Sequence, residues 1–164
     1  MKKVLILTTS TGQGHNQAAA SLAESFENAG YEITKLDFLA KNSTLLNNLV
    51  VAGYEISAAK FPKTYGLFYK LTDNKYINDF LKLPFFLTKK KVAKLVYEIN
   101  PDVIVATHAL SISVISDLKK KGLKAPYILI VTDFKAHYLY VNSYVDAYIT
   151  GSNYTKQSLV DRNI

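Results

Sequence analysis

The residues best suited to chemistry form a short glycine turn that ends in a histidine, Thr8-Thr9-Ser10-Thr11-Gly12-Gln13-Gly14-His15. Glycines at positions 12 and 14 permit positive φ angles and a close approach of the backbone to a ligand. The first amides of the following helix lack intrahelical partners, so they favour an anion at the turn. His15 is a candidate general base, because imidazole titrates near neutral pH. The alternative interpretation is a β–α turn that binds no ligand.

Two further histidines follow apolar stretches that are typical of buried strands. His108 follows the stretch 102–107, and His137 comes shortly after Thr132 and Asp133, which end the next stretch. The carboxyl ends of parallel strands meet at one edge of an open α/β sheet, where ligands bind. We therefore expect the three histidines and Asp133 to line one cleft. A packing role for each histidine is the alternative, and their spacing matches no zinc-ligand signature.

The elements that position these residues alternate between strands and helices. Apolar patterns and glycine or proline stops predict strands at 3–9, 31–37, 102–107, 127–132 and 147–150, and helices at 15–29, 86–98, 110–121 and 153–161. This alternation predicts an α/β fold with a doubly wound, mainly parallel, Rossmann-like sheet. A length of 164 residues fits one domain.

The excess positive charge is concentrated in the segment 41–94, which interrupts the alternation. It holds ten lysines and three acidic residues, a net charge of +7, whereas the rest of the chain has ten basic and ten acidic residues. It also carries nine of the twenty Phe and Tyr residues. Its pattern predicts a helical basic insertion, with helical pieces near 43–59, 65–72 and 75–84. Such a segment favours an anionic partner, although a solvated helical face over a small core is the alternative.

Other features of the sequence limit which kinds of site and which kinds of membrane contact are possible. The chain has no cysteine, which excludes disulfides and thiolate metal sites. No signal peptide is recognisable, and no apolar run approaches the ~20 residues that span a bilayer. We therefore expect any membrane contact to be peripheral.

Four ordered motifs resemble the amino-terminal domain of the monogalactosyldiacylglycerol synthase and processive diacylglycerol glucosyltransferase family. They are the glycine turn ending in His15, the stretch 100–108, the stretch 131–134 with His137, and the stretch 145–149. The resemblance covers essentially the whole chain, including the insertion. Two positions depart from the family pattern: Gln13 replaces a glycine, and Leu139 stands where an aromatic residue is usual.

The resemblance implies that residues 1–164 form the acceptor-binding, amino-terminal half of a GT-B glycosyltransferase, with the donor-binding domain absent from this chain. The implied reaction is an inverting transfer of a hexose from a UDP-sugar to diacylglycerol, with glucose and galactose both open. It needs no cofactor and no metal. The chain alone is expected to be inactive. The implied location is the cytoplasmic face of the cell membrane, with an anionic lipid surface as partner and no nucleic acid.

The resemblance also assigns roles to residues. His15 is the expected base, and Asp133 is a second base candidate or the orienting partner of a histidine. Contacts to the acceptor or the donor phosphate are expected from Thr11, Gly12, Gln13, Gly14, His108 and His137. Membrane binding is expected from Phe61, Lys63, Tyr65, Phe68, Tyr69, Phe85, Phe86, Lys89, Lys90 and Lys91.

Two other functions fit parts of the sequence. The first is a flavodoxin-like FMN-binding domain, because hydroxyl side chains and glycines also surround flavin phosphates. That function leaves the basic insertion and the three histidines without a role. The second is a non-enzymatic basic module that binds a membrane or a nucleic acid, since lysines interleaved with aromatic residues suit both surfaces.

The basic insertion predicts salt-sensitive membrane binding. We expect the chain to co-sediment with vesicles more strongly as anionic lipid increases and less strongly as salt increases, since each lysine near such a surface contributes about 1 kcal/mol. Replacing Lys89, Lys90 and Lys91 with glutamate should weaken this binding. Equal binding to neutral and anionic vesicles would contradict the electrostatic contribution, and binding to neither would contradict membrane docking.

Overall fold

The computed structural model describes residues 1–9, 13–37, 73 and 86–164. The helices and strands of these residues are β1 (Lys3–Thr8), α1 (Gln13–Asn28), β2 (Glu32–Asp37), α2 (Phe86–Ile99), β3 (Val103–Ala106), α3 (Ile112–Lys120), β4 (Tyr127–Val131), β5 (Ala147–Thr150) and α4 (Asn153–Val160). Two 3₁₀ turns complete the described elements, the first at Ala109–Ser111 and the second at Tyr138–Tyr140. The helical pieces expected between positions 43 and 84 lie outside the described residues.

The five strands form one parallel sheet in the order β2-β1-β3-β4-β5. Val4 lies on β1 and pairs with Ile33 of β2 on one side and with Val103 of β3 on the other. This arrangement confirms the Rossmann-like α/β fold, and the predicted strand ends agree to within one residue. After β1 the chain forms β2 on one side of β1, and it then returns to form β3 on the other side of β1. The order therefore reverses between β1 and β3, where open α/β sheets leave a crevice at their carboxyl edge.

Alternating side chains of β1 enter two separate cores, one on each face of the sheet. Leu5 and Leu7 join the larger core with residues of α2, α3 and α4. Val4 and Ile6 face the smaller core, where Ala19 of α1 is fully buried. The continuous apolar sequence of β1 follows from burial on both faces. None of the described helices has the length and apolar character that a bilayer crossing requires.

Three glycines test the backbone predictions. Gly30 and Gly122 have φ angles of 81° and 101° and follow the ends of α1 and α3, as their predicted role as helix stops requires. Gly14 does not adopt the positive φ angle that a glycine permits, because α1 begins at Gln13 and Gly14 lies in its first turn. Among the described residues, no atom lies within 4 Å of the place that a Cβ atom at Gly14 would occupy. Gly12 lies outside the described residues.

Tyr127 connects β4 to the first 3₁₀ turn through a buried hydrogen bond. Its side chain is fully buried, and its hydroxyl lies 2.7 Å from Ser111 Oγ. Ser111 Oγ donates to the His108 carbonyl at 2.7 Å, so the Tyr127 hydroxyl is the donor to Ser111. Burial raises the pKa of Tyr127, which keeps the phenol protonated.

We expect Tyr127→Phe to lower the free energy of unfolding by about 1–2 kcal/mol, because it leaves the buried Ser111 oxygen without its donor. Urea denaturation measures this change. Tyr97→Phe is the matched control, since Tyr97 is exposed and its loss should cost less than about 0.5 kcal/mol. Equal effects of the two substitutions would show that the buried hydrogen bond contributes nothing.

Candidate active site

Thr107 joins the carboxyl ends of β1 and β3 at the reversal of strand order. Its N–H donates to the Leu7 carbonyl at 3.0 Å, and its hydroxyl donates to Thr8 Oγ1 at 3.1 Å. The Thr8 hydroxyl in turn donates to Asn16 Oδ1 on α1 at 3.2 Å. Thr107 is fully buried, so these bonds fix the position of its own carbonyl group.

The imidazole of His15 is hydrogen-bonded to two oxygens, which belong to the residues that directly follow β3 and β4. Its Nδ1 lies 2.7 Å from the Thr107 carbonyl oxygen and 2.8 Å from Thr132 Oγ1. A carbonyl oxygen can only accept, so Nδ1 of the neutral ring carries the proton. The lone pair is then on Nε2. In this tautomer Nε2 is the nitrogen that can accept a proton, and the Thr107 carbonyl and the Thr132 hydroxyl orient the ring.

His108 stands against His15 in the opposite tautomer. The two ring centres are 4.5 Å apart and the ring planes meet at 69°. His108 Nδ1 accepts from the Leu110 N–H at 3.1 Å, which places the proton of its neutral ring on Nε2. The pair therefore combines one ring with a basic Nε2 and one ring with a donor Nε2–H.

The electrostatic surroundings of His108 keep it uncharged. Burial, and to a smaller extent the charge of protonated His15 beside it, lower the pKa of His108 to about 3. At neutral pH His108 is consequently a hydrogen-bond donor and not a cation.

His137 caps the second 3₁₀ turn in the way that His108 caps the first. Its Nδ1 accepts from the Leu139 N–H at 3.1 Å, and its side chain is buried. The two 3₁₀ turns contact each other, so His137 lies in the segment beside that of His108. Of the three predicted histidines, the structure brings the rings of His15 and His108 into contact and places His137 in the adjoining turn.

The other predicted contact residues are distributed along the same edge. Asp133 is partly buried and directly follows Thr132, and among the described residues no hydrogen bond joins its carboxylate to a histidine. Gln13 and Gly14 are exposed at the start of α1. Thr11 and Gly12 lie outside the described residues. Leu139 packs against the larger core.

The residues expected to bind the membrane are described only in part. Phe61, Lys63, Tyr65, Phe68, Tyr69 and Phe85 lie outside the described residues. Phe86 begins α2, and Lys90 and Lys91 are exposed on that helix. Lys89 Nζ lies 3.6 Å from Asp117 Oδ2, so Lys89 also has a partner on α3.

Three features of the site were missed from the sequence. The Thr107 carbonyl and the Thr132 hydroxyl orient His15, and the only signal for them is that each residue ends an apolar strand next to a predicted site residue. Phe134 is 89% exposed, and its carbonyl accepts from Thr155 Oγ1 at 2.8 Å. Among the described residues, no three His, Asp or Glu side chains are grouped so as to hold a metal ion.

Comparisons with known proteins agree with the motifs. The family described as monogalactosyldiacylglycerol (MGDG) synthase matches residues 15–164. A processive diacylglycerol beta-glucosyltransferase of Bacillus subtilis (strain 168) is 29% identical over 161 residues, and one of Bacillus pumilus (strain SAFR-032) is 30% identical over 165 residues. Each match covers 98% of this chain and 42% of the relative, so the chain spans less than half the length of these relatives. No solved structure matches the chain.

The lowered pKa of His108 predicts a specific dependence of stability on pH. The unfolded chain protonates this residue below pH ~6.5 while the folded chain does not until about pH 3, so acidification between these values destabilises the fold. The slope from one such group is at most about 1.4 kcal/mol per pH unit.

We expect His108→Asn to make the loss of stability between pH 6.5 and pH 3 less steep, because it retains an acceptor for the Leu110 amide but does not titrate. Urea denaturation at several pH values measures the slope. The free energies of unfolding of His108→Asn and of the unmodified chain should differ least above pH 7. The same slope in both proteins would contradict a depressed pKa for His108.

Proposed function

Because the chain belongs to the monogalactosyldiacylglycerol synthase family, we propose that it is the acceptor-binding part of a glycosyltransferase that makes glycolipids. The proposed reaction transfers glucose from UDP-glucose to diacylglycerol, as the names of the relatives suggest for the acceptor and the sugar. The observation that carries this proposal is the His15 tautomer, since the Thr107 carbonyl leaves the basic Nε2 for the acceptor hydroxyl.

In the proposed mechanism the free 3-hydroxyl of diacylglycerol attacks the anomeric carbon of the donor and inverts its configuration. His15 Nε2 takes the hydroxyl proton as the new bond forms. The ring then becomes a cation, and its Nδ1–H remains directed at the Thr107 carbonyl and Thr132 Oγ1. Both oxygens stabilise that charge, and the bond to the UDP leaving group breaks in the same step.

Stabilisation of the leaving diphosphate comes from groups at the same edge. His108 supplies an uncharged Nε2–H donor, and His137 lies in the adjoining turn. The amino terminus of α1, with Gln13 and Gly14, adds amide groups and the positive end of the helix dipole. Asp133 is the alternative base if His15 serves only to bind. The mechanism requires no cofactor.

The lipid acceptor is proposed to reach the site from an anionic membrane surface. Phe134, two residues after Thr132, presents an almost fully exposed ring, and Thr132 contacts His15. This ring is proposed to offer an apolar surface to the lipid. The basic insertion 41–94 is proposed to dock the domain on the cytoplasmic face of the membrane. The donor sugar is proposed to bind mainly to a second, carboxyl-terminal domain outside this chain.

The proposed base makes a direct kinetic prediction. We expect His15→Gln to lower the rate of glucosyl transfer by the complete protein by about 10²–10⁴-fold, because its amide can donate to the Thr107 carbonyl but cannot accept a proton. The assay follows transfer from UDP-glucose to diacylglycerol in vesicles. Thermal unfolding of the variant should match that of the unmodified protein to within a few degrees.

Glu98→Gln is the control for this experiment, since it removes only an exposed ion pair with Lys94 on α2. If the His15→Gln protein had the same turnover rate as this control, His15 would not be the general base. In that case an inactive Asp133→Asn variant would identify Asp133 as the base.

A further inference from the structure

Asp73 lies in the basic insertion and contacts two elements that are distant in sequence. Its Oδ1 accepts from the Tyr138 N–H at 2.8 Å, and its Oδ2 lies 2.6 Å from Nη2 of Arg162. The side chains of Asp73 and Arg162 are only 15% and 8% exposed. The largely buried carboxylate of Asp73 thus joins the second 3₁₀ turn to Arg162, which follows α4.

The guanidinium of Arg162 is fixed on three sides. Besides its bond to Asp73, its Nη1 donates to the Ser158 carbonyl at 2.9 Å. Its central carbon lies 4.8 Å from the centre of the Tyr138 ring, within cation–π distance. A planar guanidinium held in this way restricts the position of Oδ2, while the Tyr138 N–H holds Oδ1.

The second 3₁₀ turn depends on Asp73 for one of its three amide hydrogen bonds. The Leu139 N–H donates to His137 Nδ1, and the Tyr140 N–H donates to the His137 carbonyl. The Tyr138 N–H is the first amide of the turn and has no acceptor within it, and Asp73 supplies that acceptor. Losing this bond loosens the peptide that directly follows His137.

We propose that Asp73 and Arg162 are positioning residues for His137, because Asp73 fixes the turn that orients the His137 ring and Arg162 fixes Asp73. This inference rests on the proposed function, in which His137 contacts the acceptor or the donor diphosphate. In this proposal the insertion supplies a positioning residue for the site in addition to docking on the membrane.

Two double variants test the acceptor at position 73 without leaving a buried charge. Asp73→Asn with Arg162→Met keeps an oxygen for the Tyr138 amide, whereas Asp73→Leu with Arg162→Met has nearly the same volume and no acceptor. Replacing both members of a buried ion pair avoids the cost of one uncompensated charge. The two proteins therefore differ chiefly in the hydrogen bond to Tyr138. Asp161→Asn, which alters the exposed carboxylate next to Arg162, is the control.

The kinetic measurement uses the complete protein, UDP-glucose and diacylglycerol in vesicles. We expect the Leu variant to lose about 10–100-fold in kcat with little change in KM for UDP-glucose, as misplaced catalytic groups do, and the Asn variant to stay within about threefold of the control. Equal kcat values for the two double variants would overturn the proposal.

A spectroscopic measurement separates this proposal from the proposed function. The ring nitrogen chemical shifts of His137 should change in the Leu variant and stay unchanged in the Asn variant, while those of His15 should change in neither. This result would hold even if no glucosyl transfer were detected, in which case only the proposed function fails. Unchanged His137 shifts in the Leu variant would overturn the positioning role.

A third measurement requires no variant and so does not depend on the folding of one. In the unmodified protein the Tyr138 amide should exchange with deuterium at least about 100-fold more slowly than an unprotected amide, because it is hydrogen-bonded to a carboxylate that is only 15% exposed. Exchange at the unprotected rate would overturn the proposal.

Discussion

The hydrogen bond between His15 Nδ1 and the Thr107 carbonyl is the constraint on which the proposed chemistry depends. It connects the first turn of α1 to the end of β3, and the carbonyl is in turn fixed by the ladder bond to Leu7 and the hydroxyl bond to Thr8. Because the acceptor is a backbone oxygen, no titration can change the tautomer. The sheet itself therefore determines which nitrogen of His15 is basic.

For the two other histidines, the structural role is compatible with the functional role that we propose. His108 and His137 both use Nδ1 to cap a 3₁₀ turn, which is the packing role that a histidine after a strand often has. The same bond fixes Nε2 of the neutral ring as the donor. For His108, burial and the nearby His15 maintain the neutral form, so the cap defines both the shape of the turn and its chemistry.

The fold alone does not identify the ligand. The strand order β2-β1-β3-β4-β5 is also that of flavodoxin-like proteins, whose flavin binds at the corresponding reversal of strand order. The family match over residues 15–164 and the relatives covering 98% of the chain favour the glycosyltransferase instead. Asp73, one residue of the insertion, contacts both Arg162 and the amide of Tyr138, the residue that follows His137.

The sequence by itself determined the parallel α/β fold, the strand ends, the helix stops at Gly30 and Gly122, and the family. These features follow from local periodicity, chain punctuation and short motifs, which a sequence displays directly. Only the three-dimensional arrangement revealed the opposite tautomers of His15 and His108 and the contact of Asp73 with Arg162. Each of these involves either a hydrogen-bond direction or partners many residues apart. Such features depend on how the strands and loops meet in space, and no local pattern encodes that.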